Sequence, residues 1–138
     1  MDLFKKLKNL RILLIDDDEW IRDSMSIFFQ SEGCSIKTLE TAEEALQLLQ
    51  IHKYDVLIVD YMLPGMDGIE FFNKINSIYP ASSKSGSGAA SDRTIKILIT
   101  AYYDNTDLVS MMEKAGIHDL IKKPFTPESI ENSLKKFV

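Results

Sequence analysis

The chain has 138 residues, 45% of them hydrophobic and 27% charged, with a formal net charge of -5. That length suits one domain with its own core, and the acidic balance speaks against binding nucleic acid or a membrane surface. A single cysteine, Cys34, excludes an internal disulfide, and no window approaches the roughly 18 apolar residues of a membrane span, so a reducing, cytoplasmic setting is the expectation.

Met1 to Asn9 is lysine-rich, with Leu3, Phe4, Leu7 and, just beyond, Leu10 at roughly helical spacing. It reads as a lead-in helix or frayed tail ahead of a domain over residues 10–138, with a partner-contact helix as the alternative. Arg11 to Ile15 is a short buried strand running straight into Asp16-Asp17-Asp18-Glu19. Asp18 or Glu19 suits a helix cap. Four acids where a buried strand emerges exceed what a solvated turn needs, so Asp16 and Asp17 are candidates for metal or phosphate chemistry.

Trp20 to Glu32 has helical periodicity, with Ile21, Met25, Phe28 and Phe29 on one face and Gly33 as the stop. Cys34 reads as a small buried hydrophobe. Ser35 to Leu39 is a half-polar strand, placed near a sheet edge. Thr41 and Glu44 have capping-box spacing for a helix carrying Ala45, Leu48 and Leu49 inward and ending near His52, itself plain surface. Val56 to Asp60 is apolar, branched and ends on an acid; Pro64, Gly65 and Gly68 then break the backbone. Gly68 to Ile78 predicts a helix with Phe71, Ile75 and Ile78 inward.

Residues 80–92 are rich in serine and glycine and read as a surface loop, a natural insertion or an artificial replacement. Ile95 to Ile99 is a buried strand ending at Thr100-Ala101. Asn105 to Ala115 is a helix with Leu108, Met111, Met112 and Ala115 on one face, stopped by Gly116. Asp119 to Lys122 is a short strand, followed by Lys123-Pro124-Phe125. Thr126 caps the last helix, Pro127 takes its first position, and Ile130, Leu134, Phe137 and Val138 form its apolar face.

Five strands alternating with five helices imply right-handed crossovers and a parallel sheet covered on both faces. In such a sheet the ends of strands one, three, four and five share an edge, where ligands sit in open α/β folds. Those ends carry Asp16-Asp17, Asp60, Thr100 and Lys123. Carboxylates gathered there call for a cation, and hard oxygen ligands suit Mg²⁺, with Mn²⁺ as an alternative. A lysine and a hydroxyl beside them fit the handling of a phosphoryl group, with Asp60 as the nucleophile.

Asp16-Asp17, Asp60 within Asp-Tyr-Met-Leu-Pro-Gly-Met-Asp-Gly, Thr100-Ala101 and Lys123-Pro124-Phe125 occur in the order and spacing of one family. The chain resembles a response regulator receiver domain of two-component signal transduction, chemotaxis-receiver-like. The resemblance implies a flavodoxin-like sheet of order 2-1-3-4-5. It also implies that Asp60 is the phosphoacceptor, that Asp17, Asp60 and the Met62 carbonyl ligate Mg²⁺ directly and Asp16 through water, and that Thr100 and Lys123 contact phosphoryl oxygens. The small Ala101 leaves access, and the Lys123-Pro124 bond is cis. A histidine kinase or phosphotransfer protein is the implied donor, with a downstream protein target and room for a homodimer.

Leu120 departs from the pattern, because the family usually has Tyr or Phe three residues before the lysine. An aliphatic side chain there changes how phosphorylation is read out on the face of the fourth and fifth predicted helices and the fifth strand. Met62 and Tyr102 flank the implied phosphoryl group and are expected to govern water's access to it. Three other readings compete. A turnover phosphohydrolase of the haloacid-dehalogenase type wants an acid where Met62 stands. A flavin carrier wants amide donors where the first strand instead meets acids. The alternative that Leu120 favours is a receiver-like interaction module that signals without phosphorylation.

Overall fold

A computed structural model describes residues 3–78, 94–101 and 106–138; the serine- and glycine-rich segment and Tyr102 lie outside them. In chain order the elements are α1 (Leu3–Leu7), β1 (Arg11–Ile15), α2 (Glu19–Ser31), β2 (Ser35–Leu39), α3 (Ala42–Leu49), β3 (Val56–Asp60), α4 (Gly68–Ile78), β4 (Ile95–Thr100), α5 (Thr106–Lys114), β5 (Asp119–Lys122) and α6 (Pro127–Leu134). The strands form one parallel sheet of order β2-β1-β3-β4-β5. This is the flavodoxin-like order, with half-polar β2 at an edge.

Strand side chains alternate between the two faces. Leu13, Ile15, Leu57, Val59 and Leu98 pack with α3, α4 and α5 through Ala42, Ala45, Leu49, Phe71, Phe72, Ile75 and Leu108. Ile12, Leu14, Val56, Ile58, Ile97, Ile99 and Ile121 pack on the other face with α1, α2 and α6 through Leu7, Met25, Phe29, Ile130 and Leu134. The central strands β1 and β3 are buried on both faces, as continuous apolar runs dictate. Among the described residues, no helix is long and apolar enough to cross a membrane.

Helix ends follow local chemistry. Asp18 caps α2, its carboxylate accepting from the Trp20 and Ile21 amides at 2.8 and 3.3 Å. Gly33 and Gly116 take positive φ after α2 and α5. Thr41 accepts from the Glu44 amide at 3.1 Å, and its hydroxyl meets the Glu44 carboxylate at 3.1 Å. Thr126 and Ser129 form a reciprocal capping box, with Pro127 inside it.

Three core expectations need correction. Ile78 is 36% exposed at the end of α4, while Ile69 and Phe72 are buried with Phe71 and Ile75, so the inward helix face is wider than the Phe71–Ile75–Ile78 row and stops short of its end. Phe137 is 39% exposed because α6 ends at Leu134; its ring lies 5.6 Å from that of His118. Leu48 is only partly buried, and Ala42 takes the inward place.

The lead-in segment is anchored. Leu7 is fully buried in the α2–α6 core, and Lys6 Nζ donates to the Val138 carbonyl at 3.0 Å. Leu7→Ala should therefore lower unfolding free energy by about 2–4 kcal/mol, the usual cost of emptying a buried leucine site. Urea unfolding measures this, and a loss under about 0.5 kcal/mol would mean the segment is not part of the core.

Candidate functional site at the carboxyl edge of the sheet

The parallel register aligns the strand ends: Ile15 lies opposite Val59, Asp60 opposite Ile99, and Thr100 opposite Lys122. Backbone hydrogen bonds carry the ladder one residue further. The Asp16 amide donates to the Leu39 carbonyl at 3.1 Å, Tyr61 to Ile99 at 2.7 Å, and Lys123 to Thr100 at 2.8 Å. Alternation then gives Asp16, Asp60 and Lys123 the parity of Leu14, Ile58 and Ile121, on the α2–α6 face. Gly68 lets α4 start close against β3; a Cβ there would lie 2.7 Å from the Asp60 carbonyl oxygen and 2.8 Å from Leu98.

Asp16, Asp60 and Thr100 are buried, and Asp17 is exposed. One carboxylate oxygen from each of Asp16, Asp17 and Asp60 lies within 4.8 Å of the others, a grouping able to hold a metal ion. Lys123 Nζ donates to Asp60 Oδ2 at 3.1 Å and stands 3.5 Å from Asp16 Oδ2, an ion pair too long for a strong hydrogen bond. Asp16 Oδ1 accepts the Asp18 amide at 2.9 Å, while Oδ2 is buried with no hydrogen-bond partner among the described residues. An orphaned buried carboxylate oxygen beside two other acids is a vacancy in bonding that a hard cation satisfies. The donor set therefore fits Mg²⁺.

Electrostatics express the same imbalance. Burial pushes the Asp16 carboxyl up to about 6; the Asp18 amide pulls it down and the neighbouring Asp60 charge pushes it further up. Burial also raises Asp60, opposed by the Lys123 hydrogen bond and by the Met62 amide. Burial lowers Lys123, but the Asp16 charge and the Asp60 hydrogen bond outweigh it and leave the ammonium raised.

The other sequence-derived candidates are dispersed around this centre. Met62 is 54% exposed on the loop after Asp60. Ala101 is exposed, and the Lys123-Pro124 bond is cis, as the resemblance implies. Leu120 points away from the carboxylates and packs, partly buried, against the core that contains Phe71 and Leu108. Beside the site lies a groove of about 640 Å³ lined by Trp20, Ile21, Met25, Ala101, Pro124 and Phe125, with Trp20 79% exposed.

One contributor is absent from the sequence reading: Arg22, whose guanidinium donates to the Asp16 carbonyl at 2.8 Å. An arginine one helical turn after a capping Asp is the only local hint, because Arg22 touches backbone and not a predicted site atom.

Comparison with known proteins agrees with this fold. A family model described as response regulator receiver domain matches residues 12–135. A cyclic di-GMP phosphodiesterase of Thermotoga maritima is 34% identical over 119 residues, covering 86% of this chain but 28% of its own length. Sporulation initiation phosphotransferase F of Bacillus subtilis is 26% identical over 132 residues, 96% of each chain. The solved structure of Vibrio cholerae chemotaxis protein CheY4 is 25% identical, with a TM-score of 0.77 over 94% of this chain and 98% of that one. Coverage of the relatives is uneven: the chain spans 28% of the phosphodiesterase, 24% of the hydrogenase transcriptional regulatory protein HoxA of Cupriavidus necator, and nearly all of the phosphotransferase.

The raised carboxyl of Asp16 fixes a pH prediction. Because its folded pKa exceeds the unfolded value, the ionised form penalises folding; the penalty is absent below about 3.8 and complete above about 6. In chelator at pH 7.5, Asp16→Asn should raise stability by about 1–3 kcal/mol, and the gain should shrink as pH falls through 6 towards 4. Urea unfolding at pH 7.5 and near pH 4 measures it; no gain at pH 7.5, or a gain that grows on acidification, contradicts the assignment.

Proposed function

Because this chain belongs to the response regulator receiver domain family, we propose that it is a phosphoryl-accepting switch whose acceptor is Asp60. The observation that carries the reading is the convergence of three carboxylates and one lysine on a point where Asp16 Oδ2 has no hydrogen-bond partner among the described residues. Asp16, Asp17, Asp60 and the Met62 carbonyl would hold Mg²⁺, with Mn²⁺ as a substitute. When bound, the cation would neutralise the carboxylates and the incoming phosphoryl oxygens.

The chain's own groups divide the remaining work. An Asp60 carboxylate oxygen attacks the donor phosphorus; the new O–P bond forms as the bond from phosphorus to the donor's imidazole nitrogen breaks. The imidazole leaves with the electron pair and takes up a proton. Asp60 thereby gives up its carboxylate charge, and Lys123, held beside it, transfers its pairing to a phosphoryl oxygen. Thr100 donates its hydroxyl to another oxygen, and the small Ala101 keeps the approach open. Met62 and Tyr102 bias water's access, and so the lifetime of the acyl phosphate. The chain modifies itself and does not turn over an external substrate.

The donor is a histidine kinase or phosphotransfer protein, reaching Asp60 past the groove beside Trp20. A cytoplasmic setting follows from such a donor. The output is altered binding of a downstream protein or of a second copy. Leu120 has no ring to swing, so Thr100 would act on this face through an aliphatic contact. Leu120 also supports the second reading, an interaction module that signals without phosphorylation.

Incubation with acetyl phosphate and Mg²⁺ followed by intact-mass measurement separates the two. One added phosphoryl group on the wild type, and none on Asp60→Asn, is the expected outcome. A wild type that stays unmodified, while beryllofluoride still occupies the pocket, would establish the second reading instead.

A further inference from the structure

We propose that Glu43, on a different helix from every residue of the site, is a positioning residue for the loop between Asp60 and α4. The proposal rests on the functional reading above, since it concerns the loop that carries the Met62 carbonyl. Most of that loop's bonds are internal. The Leu63 and Gly68 amides both donate to the Tyr61 carbonyl, at 3.1 and 2.9 Å. Asp67 and Glu70 cap one another at the start of α4, at 3.1 and 2.8 Å. Glu43 is an external tether: its Oε2 accepts the Met66 amide at 3.1 Å across a gap of 23 residues.

Three features build this tether. The first turn of α3 stands on a firm base, because Ala42 and Ala45 are fully buried in the core. Its two acids divide the work: Glu44 meets the Thr41 hydroxyl and Glu43 reaches the loop. Gly65 supplies the space and the turn. It has φ +78, and a Cβ there would lie 2.8 Å from Glu43 Oε2. The carboxylate therefore lies against loop backbone at residues 65 and 66. Upstream, Met62 both donates its amide to the Asp60 carboxylate and supplies the proposed metal carbonyl. Holding Met66 limits how far that segment can move from the acids. Glu43 is exposed, so water competes for the bond, and the effect is a bias on the loop of the size of one hydrogen bond.

Glu43→Ala and Glu43→Gln separate the bond from the charge. Both remove the charge; only alanine removes the acceptor. Calorimetric titration with Mg²⁺ should show a dissociation constant roughly three- to tenfold higher for Glu43→Ala, with Glu43→Gln within about twofold of wild type. Hydrogen exchange of residues 61–68 in chelator should be faster in the alanine variant and restored in the glutamine variant, and melting curves show that both are folded. Equal affinity in Glu43→Ala and wild type overturns the proposal, even with faster exchange, because the bond is then structural only. Equal impairment of both variants overturns it too, since charge would be the cause. A wild type that binds no Mg²⁺ overturns the site reading and this inference with it.

Discussion

Lys123 stands between two buried carboxylates, 3.1 Å from Asp60 and 3.5 Å from Asp16. Without it the edge of the sheet would hold two ionised acids out of water with a third, Asp17, alongside. Burying a charge is tolerated only when it is paired and hydrogen-bonded. One ammonium against three carboxylates leaves the account unbalanced, and that residue of negative charge makes the site a receptor. In the proposed function a divalent cation would complete it, and a phosphoryl group on Asp60 would remove that carboxylate's charge and take over the pairing with the lysine.

The fold supplies the rigidity that such a cluster demands. Both faces of β1 and β3 are sealed by apolar side chains, and each strand delivers its polar group just where the ladder runs out. Stability resides in the two cores and frustration at one edge, as expected where local rules yield to function. Gly68 lets α4 begin against the backbone of Asp60, so that residue lies between the sheet and a helix start.

Much of this was legible in the residues. The runs Arg11–Ile15, Val56–Asp60 and Asp119–Lys122 have the predicted bounds because short branched runs bracketed by acids and glycines leave little freedom. Asp18 and Thr126 cap their helices because capping is a local, side-chain-to-backbone interaction. Period-two alternation carries Asp16, Asp60 and Lys123 to one face. What stayed hidden depends on distance along the chain. Glu43 to Met66 and Arg22 to the Asp16 carbonyl are side chains bonding backbone, which residue types encode weakly for Arg22 and not at all for Glu43. The helical spacing of Leu7 was visible, but not its burial, because a short lysine-rich segment also reads as a frayed tail; Leu7 in fact closes the α2–α6 core. The inward choice of Phe72 over Ile78 depends on how α4 is rotated on the sheet, which spacing alone does not fix.

The Leu120 side chain packs with the α4–α5 core and not with the carboxylates. The Asp16–Lys123–Asp60 cluster, with Asp17 beside it, is short of positive charge. The most direct measurement is the melting midpoint of the wild-type protein titrated with Mg²⁺ at pH 7.5. A cation that binds only the folded chain should raise the midpoint, with the logarithmic dependence of linked binding, and Asp60→Asn should weaken the response. A midpoint indifferent to millimolar Mg²⁺ would contradict the account.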